Sequence, residues 1–482
     1  MHYTYFAELA NPFLIVFLVG TVLNAIVENY IDWTNTRNFD NVERLRKLHS
    51  IHPLARKLFT LKKLEKAERY NAEKTQFYDM HTSISSMLTL VCLVFGATPF
   101  LLHSVLTLFP SLPIPVSYII AFFAISVLKA VSDLPFDYHL TFGIEERWGF
   151  NRSDRRTYFL DNLKGLLVSG IVMCIMIPLL NWLLTSFGKY TPTGVCGLVG
   201  CFILLKMVFE FLWATVGIRL FNKLTPLKNG SLKRRISKLL GKYGYSASSV
   251  FVMDSSRRST KANACIGGIW KSKKIILFDT LLKNHTDDEV VAILGHELAH
   301  GKLRHILLNG AISSVTLLAT TFITFSFIYD TRLYHAFGYS WITEKNVVEF
   351  SLVGFTLATM VIGAVRWILQ PMESWISRKM EYAADRYSVK YTRKHGALMT
   401  ALMKLTSDNL GNVFPSETYE RWNYSHPSLL MRLDAIRKEW KNDQGEAIPA
   451  RHLEGREGRE GQDLRFRRWE HVRRGESRPN AM

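Results

Sequence analysis

Seven apolar stretches, each about 17 to 26 residues long against the roughly 20 a helix needs to cross a bilayer, constrain this chain more than any other feature. They run approximately over 12–28, 84–109, 114–131, 165–187, 194–217, 306–328 and 347–370. At 482 residues with 48% hydrophobic content, several soluble domains would fit, but the clustering of the apolar residues favours a membrane bundle plus one domain. The segment MHYTYFAEL before the first stretch carries an acid and no Lys or Arg. No small-x-small cleavage site follows, so an uncleaved span is expected, not a signal peptide.

A formal charge of +19 would ordinarily suggest nucleic acid. Here the basic residues sit in connections beside the spans, so the positive-inside rule accounts for them, and the expected partner is the bilayer with no nucleic acid. Residues 30–80 are rich in Lys and Arg, from Arg37 to Lys74, whereas 103–115 has none. Residues 132–164 are again basic, and 188–193 holds only Lys189. This alternation puts the first and third loops in the cytosol. The fifth span then delivers 218–305 to that side, and two further spans return 371–442 to it. Cys92, Cys174, Cys196, Cys201 and Cys265 form no C-x-x-C pair and read as small apolar residues.

Within the cytosolic portion, TDDEVVAILGHELAHGKLRH at 286–305 contains an H-E-x-x-H pattern. A helix carries His296 and His300 onto one face, where both imidazoles can reach one zinc ion. Glu297 lies beside them, able to take a proton from a water that the metal acidifies. Thr286 with Glu289 makes a capping box, and Asp287 and Asp288 complement the helix dipole. A chance match is the alternative. A third protein ligand is needed, and Leu303 and Ile306 occupy the positions where a metzincin has glycine and histidine. In RKMEYAADRYSVK, Glu381 and Asp385 share a helical face: Glu381 can bind the metal and Asp385 can accept from a ligand histidine. Alternatively, Glu381 pairs with Arg378 or Lys379 on an ordinary acidic helix. His305 is expected to face elsewhere, at the membrane boundary.

Residues 231–244 suit an amphipathic helix, and SVFVMD, NACIGGIW and KKIILFD read as strands, with a hairpin turn at Lys271–Lys273. From 443 the arginine-rich tail, with EGREGREG, has too little apolar content for a core and is expected to be disordered.

H-E-x-x-H followed by E-x-x-x-D, with FNKLTPL at 221–227, KANACIGG at 261–268, KKIILFDTLL at 273–282, DNLG at 408–411 and YSHPSLLMRL at 424–433, resembles the type I CAAX prenyl proteases. Upstream, KAERYNAEKTQF at 66–77 and DLPFDYHLTFGIEERWGFNR at 133–152 are similar too, so the resemblance spans nearly the whole chain except the tail. It implies a mainly α protein: a seven-transmembrane-helix bundle with a cytosolic-side zinc metalloprotease domain that contains a small β-sheet. The chain divides into 1–217 with spans 1 to 5, 218–305 with the zinc-motif helix, 306–370 with spans 6 and 7, 371–442 completing the protease domain, and the tail 443–482.

The resemblance further implies one Zn2+ held by His296, His300 and Glu381, with Glu297 as general base. Asn263 and Ala264 would bind substrate backbone at a sheet edge, His426 would stabilise the oxyanion, and Arg432 would assist. Read without the family, Asn263 is a turn residue, His426 a cap-side histidine and Arg432 a surface cation. The implied substrate is a farnesylated or geranylgeranylated CAAX protein, which loses its last three residues and in some precursors is cut again upstream. The implied site is the endoplasmic reticulum, with the inner nuclear membrane as a second location. A large intramembrane chamber would reconcile a prenyl group, worth about 0.8 kcal/mol per buried CH2, with hydrolysis. Lys206 and Glu210 in the fifth span and Glu349 and Arg366 in the seventh are compatible polar residues. Two other readings stay open: a membrane quality-control protease resembling HtpX, and a non-catalytic transporter or scaffold.

Overall fold

In a hydrocarbon layer each backbone N–H and C=O needs a partner within its own segment, which makes an apolar stretch of this length helical. The computed structural model describes residues 10–36, 41–186, 192–243, 250–267 and 274–444. Six of the described helices are long and apolar enough to cross a membrane: Pro12–Thr36, Leu61–Val94, Ile114–Glu145, Arg155–Ser186, His305–Phe327 and Ser351–Thr392. The fifth apolar stretch forms helix Pro192–Leu212, whose apolar part, Gly194–Phe209, is shorter.

Two expected spans are irregular for local reasons. The second breaks at Gly96, whose φ of 59° lies in the left-handed region that glycine tolerates, and resumes as Ala97–Leu108. In the third, Pro135 removes a backbone donor, and a π-helical run, His139–Glu145, begins four residues later. Between the last two spans, the segment after Phe327 packs into the bundle with Tyr334, Phe337 and Ile342 buried. Tyr334 Oη donates to the Ile328 carbonyl at 2.7 Å, and Gly354 is required beneath it, since a Cβ there would stand 2.1 Å from that hydroxyl. Glu349 lies ahead of the seventh helix, not within it.

Four strands, β1 (Leu224–Pro226), β2 (Val250–Met253), β3 (Ala264–Gly267) and β4 (Lys274–Phe278), form one sheet in the order β1-β2-β4-β3. β2 runs parallel to β4, and the β1–β2 and β3–β4 pairs are antiparallel. The three expected strands are present, and β1 within FNKLTPL is an addition that three apolar-poor residues did not announce. The turn expected at Lys271–Lys273 and the tail beyond 444 lie outside the described residues, as does the side chain of Glu210. Ile236 and Leu240 of the amphipathic helix Ser231–Tyr243 pack with Ile275 and Leu277 of β4 and with Val290, Leu294 and Leu298 of helix Asp287–Lys302.

That last helix carries the H-E-x-x-H pattern. Its capping box is formed: the Thr286 N–H donates to Glu289 Oε2 at 2.8 Å, and the Glu289 N–H donates back to Thr286 Oγ1. It packs closely on helix Gln370–Thr392, where Ser388 Oγ donates to the Ala292 carbonyl at 2.9 Å. Gly295 makes the approach possible, because a Cβ there would lie 2.6 Å from Thr392 Cγ2.

Candidate active site

This helix crossing brings together residues far apart in the chain. His296 Nε2 lies 3.2 Å from His300 Nε2 and 3.3 Å from Glu381 Oε2, and His300 Nε2 lies 3.2 Å from Glu381 Oε1. One ligand atom from each of the three falls within 4.8 Å of the others. The alternative in which Glu381 pairs with its helical neighbours is not realised. Arg378 Nη1 donates instead to the Glu420 and Tyr424 carbonyls, and Lys379 lies over the Trp375 ring.

Asp385 is 1% exposed and its Oδ1 is 2.8 Å from His296 Nδ1. A proton shared there leaves His296 Nε2 as a bare acceptor, facing a second imidazole nitrogen and a carboxylate. Such atoms at these distances repel unless a proton or a metal ion sits among them. Glu381 Oε2 is also buried without a hydrogen bond of good geometry, although His426 Nδ1 stands 2.8 Å away. The donor set, two imidazoles and one carboxylate, therefore fits a divalent metal.

The electrostatics agree. Burial alone would strip the His296 proton, but Asp385 and Glu381 outweigh it and raise its pKa to about 9, so the pocket favours positive charge at this point. Burial pushes the Glu297 carboxyl above its ordinary value, only partly opposed by His296 and His300. Arg432 is raised despite its burial, chiefly by Asp385.

Arg432, which the resemblance gives an assisting role at the oxyanion, presents Nε and Nη2 to the two oxygens of Asp385 at 2.8 and 2.7 Å, and the same Nη2 lies 3.4 Å from His296 Nδ1 and 3.8 Å from Glu381. Sequence reasoning placed His305 differently. His305 does not face elsewhere. It is buried, with Nδ1 3.0 Å from His300 Nδ1, because Arg304 adopts a left-handed conformation (φ 58°) that turns the chain back between the two helices. No motif signals such a turn. Arg378, whose bonds hold the 420–424 segment that leads to His426, was likewise missed. His426 is the most open member, its side chain 62% exposed.

β3 lies at the sheet edge. The Phe278 N–H donates to the Asn263 carbonyl at 3.2 Å, so Asn263 and Phe278 form a hydrogen-bonded pair. The next pair, Ala264 opposite Leu277, is then non-hydrogen-bonded, and the Ala264 N–H and C=O point to the free edge. The Asn263 side chain is exposed beside them, with Oδ1 2.8 Å from the Ala264 N–H. Of the charged residues noted in the spans, Arg366 pairs with Glu373 at 3.1 Å. It lines a cavity of about 430 Å³ with Asn309, Ser313, Thr316 and Thr320 of helix His305–Phe327.

Residues 226–440 match peptidase family M48, and residues 42–223 match the CAAX prenyl protease N-terminal family of five membrane helices. The chain is 32% identical over 390 residues to a probable CAAX prenyl protease 1 of Schizosaccharomyces pombe, covering 78% of this chain and 79% of the relative. It is 31% identical over 435 residues to CAAX prenyl protease 1 of Saccharomyces cerevisiae, covering 87% and 89%. The crystal structure of S. mikatae Ste24p superposes with a TM-score of 0.76 at 26% identity, covering 88% of this chain and 99% of that one.

Proposed function

The chain belongs to the CAAX prenyl protease family within peptidase family M48, and on that premise we propose that it is a zinc endopeptidase that removes the C-terminal aaX tripeptide from prenylated CAAX proteins. It is a multi-pass integral membrane metalloprotease. The observation that carries the reading is the meeting of His296, His300 and Glu381 from two distant helices, within 4.8 Å.

These three residues would hold the zinc ion, which when bound polarises the scissile carbonyl and lowers the pKa of water. Glu297 takes the proton of the attacking water and passes it to the leaving amine. Its burial brings its pKa closer to the working pH, where a general base is most effective. Asp385 holds the His296 ring in one tautomer. Arg432 anchors Asp385 through Nε and Nη2, and its Nη2, 3.8 Å from Glu381, keeps its charge beside the site, where it can assist His426 at the oxyanion. His426, open to solvent beside Glu381, can donate to the developing oxyanion. Asn263 and the outward peptide groups of Ala264 pair with substrate backbone, adding it as a strand.

The site would face the cytosol from the endoplasmic reticulum and inner nuclear membrane, with residues 218–305 and 371–442 as the two halves of the protease domain and 1–217 and 306–370 as the bundle. A second, upstream cut in some precursors belongs to the same chemistry. Purified protein given a farnesylated CAAX peptide should release the tripeptide, stop with a zinc chelator, and resume when zinc is restored. Cleavage indifferent to the chelator, or equal cleavage of unfarnesylated and unfolded chains, overturns the proposal.

A further inference from the structure

The approach to β3 alternates. The Lys261 carbonyl accepts from Thr280 Oγ1 at 2.9 Å and the Asn263 carbonyl from the Phe278 N–H, so both point toward β4 and the short helix Asp279–Asn284 that continues it. Ala262, between them, points outward like Ala264. Its outward groups are both taken by one side chain: Asn409 Oδ1 accepts from the Ala262 N–H and Asn409 Nδ2 donates to the Ala262 carbonyl, each at 3.2 Å. A single amide thus imitates a neighbouring strand, one step along the edge from the outward peptide groups of Ala264, whose N–H donates to Asn263 Oδ1.

Asn409 is itself held from the membrane side. It ends helix His395–Asp408, and the next residue, Leu410, is a buried non-glycine residue in the left-handed region (φ 48°). Such a conformation persists only where the surroundings enforce it. Here Asn71 of helix Leu61–Val94 donates to the Leu410 carbonyl at 2.8 Å, and the Leu410 side chain packs with Tyr70, Phe77 and Phe150. A second tether joins the same strand approach to the bundle: Lys261 Nζ meets Tyr70 Oη at 2.8 Å and Glu145 Oε2 at 2.8 Å.

We propose that Asn409 is a positioning residue for peptide hydrolysis: by occupying the outer edge at Ala262 it holds the neighbouring Ala264 peptide groups in register for the incoming substrate strand. This rests on the reading of Asn263 and Ala264 as the substrate-binding edge. The hydrogen bonds of its side chain go to Ala262 and not to His296, Glu297, His300 or Glu381, so it acts on substrate affinity.

The test is steady-state cleavage of a farnesylated CAAX peptide by the full chain carrying N409A, N263A, or both, with zinc content measured on each. Loss of two such hydrogen bonds should raise KM about tenfold, with kcat changed less than about threefold and zinc retained. N409D, which keeps the acceptor for the Ala262 N–H but sets a carboxylate oxygen against the Ala262 carbonyl, should raise KM at least as much. The double variant should be less than additive, since both residues work through one edge. A merely structural role would lower the active fraction, and with it the apparent kcat, at unchanged KM. That result in N409A, or in N409D where N409A does not fold, or strict additivity in the cycle, overturns the proposal. An inactive wild-type protein would instead refute the protease reading itself.

Discussion

Replacing Asp385 probes the site at the point where its parts depend on one another. The carboxylate is 1% exposed and takes two hydrogen bonds from Arg432 and one from His296. The rise of His296 from 6.5 to about 9 corresponds to about 3 kcal/mol of preference for a positive charge, shared between Asp385 and Glu381. Asp385→Asn keeps the shape and removes the charge, so zinc affinity should fall by about 10- to 100-fold, the range expected when a histidine loses its outer partner. Asp385→Ala additionally leaves Arg432 buried without its hydrogen-bonded partner, with only Glu381 at 3.8 Å as counter-charge, and should cost up to about 3–5 kcal/mol of stability. Zinc affinity is measured by competition with a chromogenic chelator, and stability by thermal unfolding in detergent with the metal stripped. Wild-type zinc affinity in Asp385→Asn would refute the argument that this carboxylate sets the charge preference of the pocket. Wild-type stability in Asp385→Ala would refute the pairing with Arg432.

Three further outcomes rest on the same geometry. Glu297→Gln should keep its zinc and lose about 10²- to 10⁴-fold in turnover, read by peptide cleavage beside metal analysis. Gly295→Ala drives a methyl group into Thr392 and Ser388 between the two ligand-bearing helices, and should cost about 1–3 kcal/mol and weaken zinc binding, read by unfolding and chelator competition. Burial tends to raise the Glu289 carboxyl, but the Lys404 ammonium at 2.7 Å and the Thr286 N–H outweigh it and hold it below 4.5. Its contribution to stability is therefore present above pH 4.5 and lost as pH falls through the depressed value. Glu289→Gln should flatten that acid limb of the unfolding temperature measured against pH.

The residues that sequence placed well are those whose chemistry shows in short-range spacing. Thr286 and Glu289 announce a helix start three residues apart, His296 and His300 share a face four apart, and Glu381 and Asp385 repeat that interval. What joins the two pairs is a helix crossing permitted by Gly295, and no local pattern encodes which distant helix fills that space. The strands were legible from β-branched runs, but their order was not, because the parallel pairing of β2 with β4 is a matter of connection and not of composition. His305 shows the limit most clearly. Counting five positions along an unbroken helix turns it away from His300, and the left-handed Arg304 reverses that result. Asn409 was visible only as part of a motif, since a side chain that completes a sheet edge leaves no periodic trace.

The outward-facing amides at Ala264 carry a consequence for selectivity. An open strand margin can grip only what every polypeptide shares, its repeating N–H and C=O, and is blind to which aliphatic side chains hang from them. On the proposed reading of Asn263 and Ala264, discrimination between one protein tail and another is then made elsewhere, by the helices of the bundle. Altering those helices should change which tails are chosen while leaving the cut chemically the same.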